Sequence, residues 1–211
     1  MIRVPFTRWY LRRDRRHTQS GITIVVQPGV FHPGLFPSTR MLINYLASRG
    51  MVGCRLLELG CGSGLIAIIA ERAGAVVTAS DVSPAAIENT KINAASNRSQ
   101  IRIISSDLFD QIPPQVFDCI VINPPYYNRQ AGNDAEKAWY CGANFEYFWK
   151  LFPRLGEFAA RDADILMTLA KEANISTIKS IAMKHGITFH MLARRSSLVD
   201  GTDYLFRLTA R

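Results

Sequence analysis

The heptapeptide Glu58-Leu59-Gly60-Cys61-Gly62-Ser63-Gly64 constrains this chain more than any other segment. Three glycines fall at every second position, between the run Arg55-Leu56-Leu57 and the apolar run Leu65-Ile66-Ala67-Ile68-Ile69-Ala70. The pattern reads as a strand, a tight turn and a buried helix. Without Cβ atoms the backbone can bend sharply and a ligand can lie directly against it, with helix amides aimed at the ligand's polar end. A turn that serves only the fold is the alternative at this stage.

The spacing narrows the ligand. A dinucleotide fingerprint needs G-x-G-x-x-G, whose last glycine packs the helix on the sheet beneath a pyrophosphate. This chain has G-x-G-x-G, preceded by Glu58 at the strand end. The segment resembles the E/D-x-G-x-G-x-G motif of class I S-adenosylmethionine (SAM) methyltransferases. A second strand-like run, Ala75 to Ser80, ends in Asp81, 19 residues past Gly62. A carboxylate there can accept hydrogen bonds from both ribose hydroxyls of an adenosine cofactor. Ser83-Pro84 supplies an N-cap and a first-turn proline for a helix to about Asn97, so Asp81 can equally be read as part of that cap. A third strand, Ile101 to Ser105, leads into Ser106-Asp107-Leu108-Phe109; in the family that the glycine loop resembles, a residue matching Asp107 contacts the adenine amino group.

A fourth strand, Phe117 to Ile122, runs directly into Asn123-Pro124-Pro125-Tyr126. This tetrapeptide resembles the motif of methyltransferases that modify a planar nitrogen, either the side-chain amide of glutamine in release factors or the exocyclic amino group of adenine or guanine. The resemblance implies that Asn123 and Pro124 accept the two N–H bonds of the acceptor and that Tyr126 stacks on its plane. The chemistry is coherent: a delocalised lone pair must be held in line with the methyl group and polarised by fixed acceptors, and consecutive prolines fix the backbone that carries them. It further implies SAM contacts at Thr39, Glu58, Gly60, Cys61, Gly62, Gly64, Asp81, Val82, Asp107, Leu108 and Asn123. A rigid loop closing a strand is the plainer alternative.

Alternating strand and helix patterns from residue 53 onward predict a Rossmann-like α/β domain, a mostly parallel sheet covered on both faces with ligands at the carboxyl ends of its strands. The 48% hydrophobic content of 211 residues suffices for one sizeable core. Asn144 to Ala160 reads as a helix, Ala163 to Leu169 as a fifth strand and Ile175 to His185 as a helix closed by Gly186. Thr188 to Arg194 and Tyr204 to Thr209 read as an antiparallel C-terminal pair. Tyr127, Asn128, Arg129, Trp139, Tyr140 and Gly142 read either as a cover over the acceptor or as ordinary surface loop.

Upstream, Phe36-Pro37-Ser38-Thr39-Arg40-Met41-Leu42-Ile43 opens a helix ending near Gly50. It resembles the P-D-T-E-L-L segment of release-factor glutamine methyltransferases at Pro37 and Thr39, and departs from it at Ser38 and Arg40. Residues 1–28 read as a basic arm ahead of a single domain at 29–211. Arg3, Arg8, Arg12, Arg13, Arg15 and Arg16 face only Asp14 before Ser20, which gives +5 of the chain's formal +8. Arginines interleaved with Phe6, Trp9 and Tyr10 suit phosphates and unpaired bases, while a solvated arm that keeps the protein soluble is the bland reading.

Cys54, Cys61, Cys119 and Cys141 form no C-x-x-C pair and the four histidines are scattered, so no metal site is expected. No apolar run resembles a signal peptide or a membrane span, which points to the cytoplasm. The expectation is a SAM-dependent N-methyltransferase acting on a macromolecule. A protein glutamine amide heads the acceptors, an RNA or DNA base is the alternative, and a SAM-binding accessory module is the non-enzymatic one.

Overall fold

The computed structural model describes residues 12–197 and 201–210. An antiparallel hairpin, β1 (Arg15–Gln19) and β2 (Ile22–Val26), leads to α1 (Pro37–Ala47). Then follow β3 (Arg55–Leu59), α2 (Leu65–Arg72), β4 (Val76–Asp81), α3 (Pro84–Ser96), β5 (Arg102–Ser105), β6 (Phe117–Ile122), α4 (Glu146–Phe158), β7 (Ala159–Ala170), α5 (Ile175–Lys184), β8 (Ile187–Ser197) and β9 (Gly201–Ala210). Seven strands form one sheet in the order β5-β4-β3-β6-β7-β9-β8. The first five are parallel, and β9 lies antiparallel between β7 and β8.

The central strands are apolar along their length because helices cover both faces. On one face Leu57, Ile120, Ile122 and Met167 meet the apolar stripe of α4, Phe148, Leu151, Phe152 and Leu155. On the other, Leu56, Val121 and Leu166 meet Leu42, Leu46 and the residues of α2. The chain order reverses between β3 and β6, and the crevice at the carboxyl ends of these strands is where such sheets bind ligands.

The predicted strands and helices from residue 55 to 122 stand within a residue or two of their expected ends. Downstream, α4 starts at Glu146 rather than Asn144 because Phe145 sits in the left-handed region at φ 62° and cannot join the helix. The helix stops at Phe158, and β7 begins at once, at Ala159, its early residues absorbed by a register shift against β6.

The larger difference lies in the arm. Residues 15–26 form a hairpin turning at Ser20-Gly21, both with positive φ, as a two-residue primed turn requires. Ile22, Ile24 and Val26 are buried. One row of α3, Asn89, Asn93 and Asn97, sews β2 down. Asn93 Oδ1 accepts from Val25 N at 2.9 Å, its Nδ2 donates to Val25 O at 2.8 Å, and Asn97 Nδ2 donates to Thr23 O at 3.0 Å. Spaced four apart, the three amides occupy one helix face and act as a surrogate strand edge. The folded body therefore begins ahead of residue 28, since β2 supplies core. Arg8 and the aromatic residues Phe6, Trp9 and Tyr10 lie outside the described residues. Arg12, Arg13 and Arg16 are exposed and Arg15 is half-buried.

Candidate active site

A cavity of about 450 Å³ opens at the carboxyl ends of β3, β4 and β6. Its cofactor-side floor is the glycine loop. Gly60, Gly62 and Gly64 all hold positive φ, at 77°, 54° and 76°, a conformation that costs other L-residues about 1–2 kcal/mol each. Gly60 N and Cys61 N donate to Ser80 O at 2.8 and 2.9 Å, so the loop is tied to the end of β4. The third glycine does different work from the first two. Gly60 and Gly62 line the cavity and Gly64 does not. A Cβ on Gly64 would lie 2.7 Å from Thr90 Cγ2, so this glycine lets α2 approach α3. Thr90 completes the contact by donating to Gly62 O at 3.0 Å.

A buried and a half-buried carboxyl sit beneath this loop. Glu58 Oε2 accepts from Ala67 N at 2.9 Å, in the first turn of α2. Burial pushes its pKa up to about 8, with the Ala67 bond pulling the other way. Asp81 accepts from Gly62 N at 3.0 Å through Oδ2 and from Ser83 N at 2.9 Å through Oδ1. Burial raises its pKa too, against three backbone hydrogen bonds that favour the charge. The capping reading of Asp81 is met by these bonds, and its place on the lining is compatible with the other. Asp81 caps loop and helix, it lines the cavity, and a carboxylate's roughly four lone-pair sites leave room for further donors.

Asp107, Leu108 and Val82 form the neighbouring wall. Asp107 Oδ2 accepts from Lys150 Nζ at 2.6 Å, and Lys150 also reaches Asp110 at 2.6 Å. Leu108 is buried at φ 53°, an unusual conformation for a side-chain-bearing residue, held where Ser106 Oγ donates to Leu108 O at 2.8 Å. Thr39, wholly buried near the start of α1, and Cys61 also line the cavity, so that of the predicted cofactor set Gly64 alone stands off the lining. Tyr147 and Lys150 of α4 also line the cavity; no local motif announced them, since their position depends on how α4 crosses the sheet.

At the other end stand Asn123, Pro124, Pro125 and Tyr126, in the same cavity. The Asn123 Oδ1 accepts a 2.8 Å hydrogen bond from Thr168 Oγ1, a residue that sequence reasoning did not single out. Burial drives the Tyr126 hydroxyl well above its ordinary range, so the ring is a neutral aromatic face packed 4.8 Å from the Tyr127 ring. Residues 127–142 then fold over the cavity. Tyr127 N donates to Trp139 O and Cys141 N donates to Tyr127 O, both at 3.0 Å. Trp139 rests on Phe31 and Phe36 at centroid distances of 5.4 and 5.3 Å, and those two rings stack at 4.9 Å. All three line the cavity, so this segment is a cover rather than remote surface.

The hairpin reaches the same rim. His17 of β1 meets His32 edge-on at 5.4 Å, next to Phe31. Burial and the neighbouring His17 hold His32 down to about 4, with Arg15 adding to the same effect. His17 is thus one residue removed from the cavity lining, through His32, while neither it nor Arg15 lines the cavity itself. Among the described residues no cluster of histidine, cysteine and carboxylate side chains could hold a metal ion, and no helix is long and apolar enough to cross a membrane.

The donor set fits SAM. The Gly60 and Gly62 backbone leaves space for a ligand, the Asp81 carboxylate can accept hydroxyl donors, and Asp107 and Leu108 lie on the same lining. Residues 21–140, more than half of the chain, match the family model described as methyltransferase small domain. Among curated relatives, the ribosomal protein L11 methyltransferase of Thermotoga neapolitana is 38% identical over 104 residues, 48% of this chain and 39% of that protein. The ribosomal RNA small subunit methyltransferase C of Pectobacterium atrosepticum is 33% identical over 115 residues, 53% of this chain and 32% of that protein. The match thus spans about two-fifths or less of these relatives' length. Among solved structures, a methyltransferase from Pyrococcus furiosus superposes with a TM-score of 0.67 at 21% identity, covering 98% of this chain and 96% of that one. A 16S rRNA methyltransferase from T. Thermophilus, solved with AdoMet and guanosine, gives 0.68 at 18% identity over 94% of this chain and 50% of that one.

Proposed function

The chain belongs to the methyltransferase small domain family, and we propose that it transfers the methyl group of SAM to a planar nitrogen of a macromolecule. The observation that carries this reading is the meeting, in one cavity, of the glycine loop and its acidic partners with Asn123, Pro124 and Tyr126. SAM bound there supplies an electrophilic methyl group on a sulfonium. The protein's part is to hold the acceptor. Asn123 Oδ1 and the Pro124 carbonyl accept its N–H bonds, so positive charge growing on nitrogen meets fixed dipoles. Tyr126 offers an uncharged ring for stacking. Methyl transfer would leave positive charge on the acceptor nitrogen, which Asn123 Oδ1 and the Pro124 carbonyl would stabilise until the surplus proton is lost to solvent.

The acceptor that the rim favours is the exocyclic amino group of an RNA base. The rim is lined by Phe31, Phe36, Trp139 and Tyr126, a stacking surface of the kind that unpaired bases use, and the basic hairpin packs through His17 on His32, next to Phe31. This reverses the order expected from the sequence. The glutamine-amide reading keeps one support, the segment beginning at Phe36, whose Thr39 lines the cavity. Labelled methyl transfer into total RNA and total protein tests both. Label lost to ribonuclease supports the base, and label lost to protease alone transfers the assignment to a protein amide. Asn123→Ala should lower transfer at least a thousandfold and leave SAM affinity within about twofold; a collapse of SAM binding would remove Asn123 from the acceptor side.

A further inference from the structure

β6 and β7 pair in parallel through Ile122 and Met167, and the ladder then ends. It cannot continue, because Pro124 and Pro125 have no amide hydrogen to offer. The next link between the strands is made by side chains: Thr168 Oγ1 donates to Asn123 Oδ1 at 2.8 Å. Thr168 is wholly buried, and its backbone is held on the far side by pairing with Leu205 of β9. Its hydroxyl therefore has a fixed origin and, being wholly buried, a strong need for a partner.

We propose that Thr168 is a positioning residue that fixes the Asn123 amide with its oxygen toward the acceptor. An asparagine amide can rotate by half a turn with little change in shape, and that rotation would present N–H groups to the acceptor's own N–H groups. A carbonyl oxygen has two lone pairs. The Thr168 hydroxyl occupies one, which anchors the rotamer, and leaves the other for an acceptor N–H. The inference rests on the reading of Asn123 as an acceptor of substrate hydrogen bonds. It adds that this property is set from β7, 45 residues away in sequence.

Thr168→Val keeps the shape and removes the hydroxyl; Thr168→Ser keeps the hydroxyl and removes a methyl group. With labelled SAM at saturation and total RNA or total protein as probe, Thr168→Val should transfer ten- to a hundredfold more slowly with its SAM dissociation constant within twofold. Thr168→Ser should recover to within about threefold of the unsubstituted protein. In parallel, the order parameter of the Asn123 side-chain nitrogen, measured by NMR relaxation, should be high in the unsubstituted protein and in Thr168→Ser and fall in Thr168→Val. Unchanged transfer by Thr168→Val, equal slowing by both variants, or an unchanged order parameter in Thr168→Val would each overturn the inference. A protein that binds SAM but labels neither probe counts against the transferase reading instead, and the NMR comparison still decides the role of Thr168.

Discussion

The two ends of the cavity are held by different means. At the cofactor end the chain is tied to itself over short distances: Glu58 to Ala67, Asp81 to Gly62 and Ser83, and the glycine loop to Ser80, all through backbone amides. At the acceptor end the ties are long in sequence and made by side chains, Thr168 to Asn123 and Trp139 to Phe31 and Phe36. On the proposed reading, a site that takes one constant molecule and a variable macromolecule gains from this division. The first end can be rigid, while the second can be re-shaped by changing a few side chains without disturbing the sheet.

The sharpest way to break the cofactor end is through its hidden glycine. Gly64→Ala places a Cβ against Thr90 and forces alanine to φ 76°. Backbone strain and overpacking together predict a loss of roughly 2–5 kcal/mol in urea unfolding. Gly60→Ala is the control: its Cβ meets nothing within 4 Å, so it should lose only the backbone share of about 1–2 kcal/mol. Equal losses would mean that Thr90 does not define the α2–α3 contact.

That contrast also marks what the sequence could reveal. The glycine loop was legible as strand, turn and helix because its partners are local, yet the division of labour among its glycines was not, since Thr90 reaches Gly64 only after α3 has packed. The hairpin hid for the same reason. Its apolar face is three residues of a five-residue strand, and the asparagines that satisfy its edge sit 62 to 74 residues downstream. Asn123, Pro124 and Tyr126 were legible as a motif; the hydroxyl that orients Asn123 carries no motif at all.

Glu58 separates the ends by pH. Its pKa rises from an ordinary 4.5 to about 8, so between those values the folded chain keeps a proton that the unfolded chain releases. The stabilisation is complete below about pH 4.5 and is lost as pH climbs through 8. Asp81, raised in the same direction, adds to that trend. Glu58→Gln keeps an oxygen for Ala67 N and cannot ionise. Against it, the unsubstituted protein should lose on the order of 2–4 kcal/mol between pH 4.5 and 8. Parallel stability curves for the two proteins would show that Glu58 ionises freely in the fold.

Asp81→Ala should weaken SAM ten- to a hundredfold, or roughly 1–3 kcal/mol, because it removes ribose acceptors and releases the Gly62 and Ser83 amides together. Calorimetry on Asp81→Asn divides the two roles. An asparagine oxygen can serve one amide but not the full set, so its affinity should fall between. An alanine variant with unimpaired SAM binding would confine Asp81 to capping.

Trp139→Ala tests the acceptor end with the smallest expected effect. The indole joins the 127–142 cover to Phe31 and Phe36 through two ring contacts on a half-buried surface, worth about 1 kcal/mol in total after solvent exposure is allowed for. The backbone bonds between Tyr127, Trp139 and Cys141 survive the substitution, so the cover keeps its own shape and loses its clasp. SAM should then dissociate about fivefold faster in stopped-flow, with the association rate nearly unchanged and the unfolding midpoint lowered by only about 2–4 °C, since the residues proposed to bind it are intact. An unaltered dissociation rate would mean that the glycine loop and its carboxyls retain the cofactor alone, and that the aromatic clasp serves only the acceptor. A large fall in stability would instead make Trp139 part of the core that supports both ends, and the division between them would no longer hold.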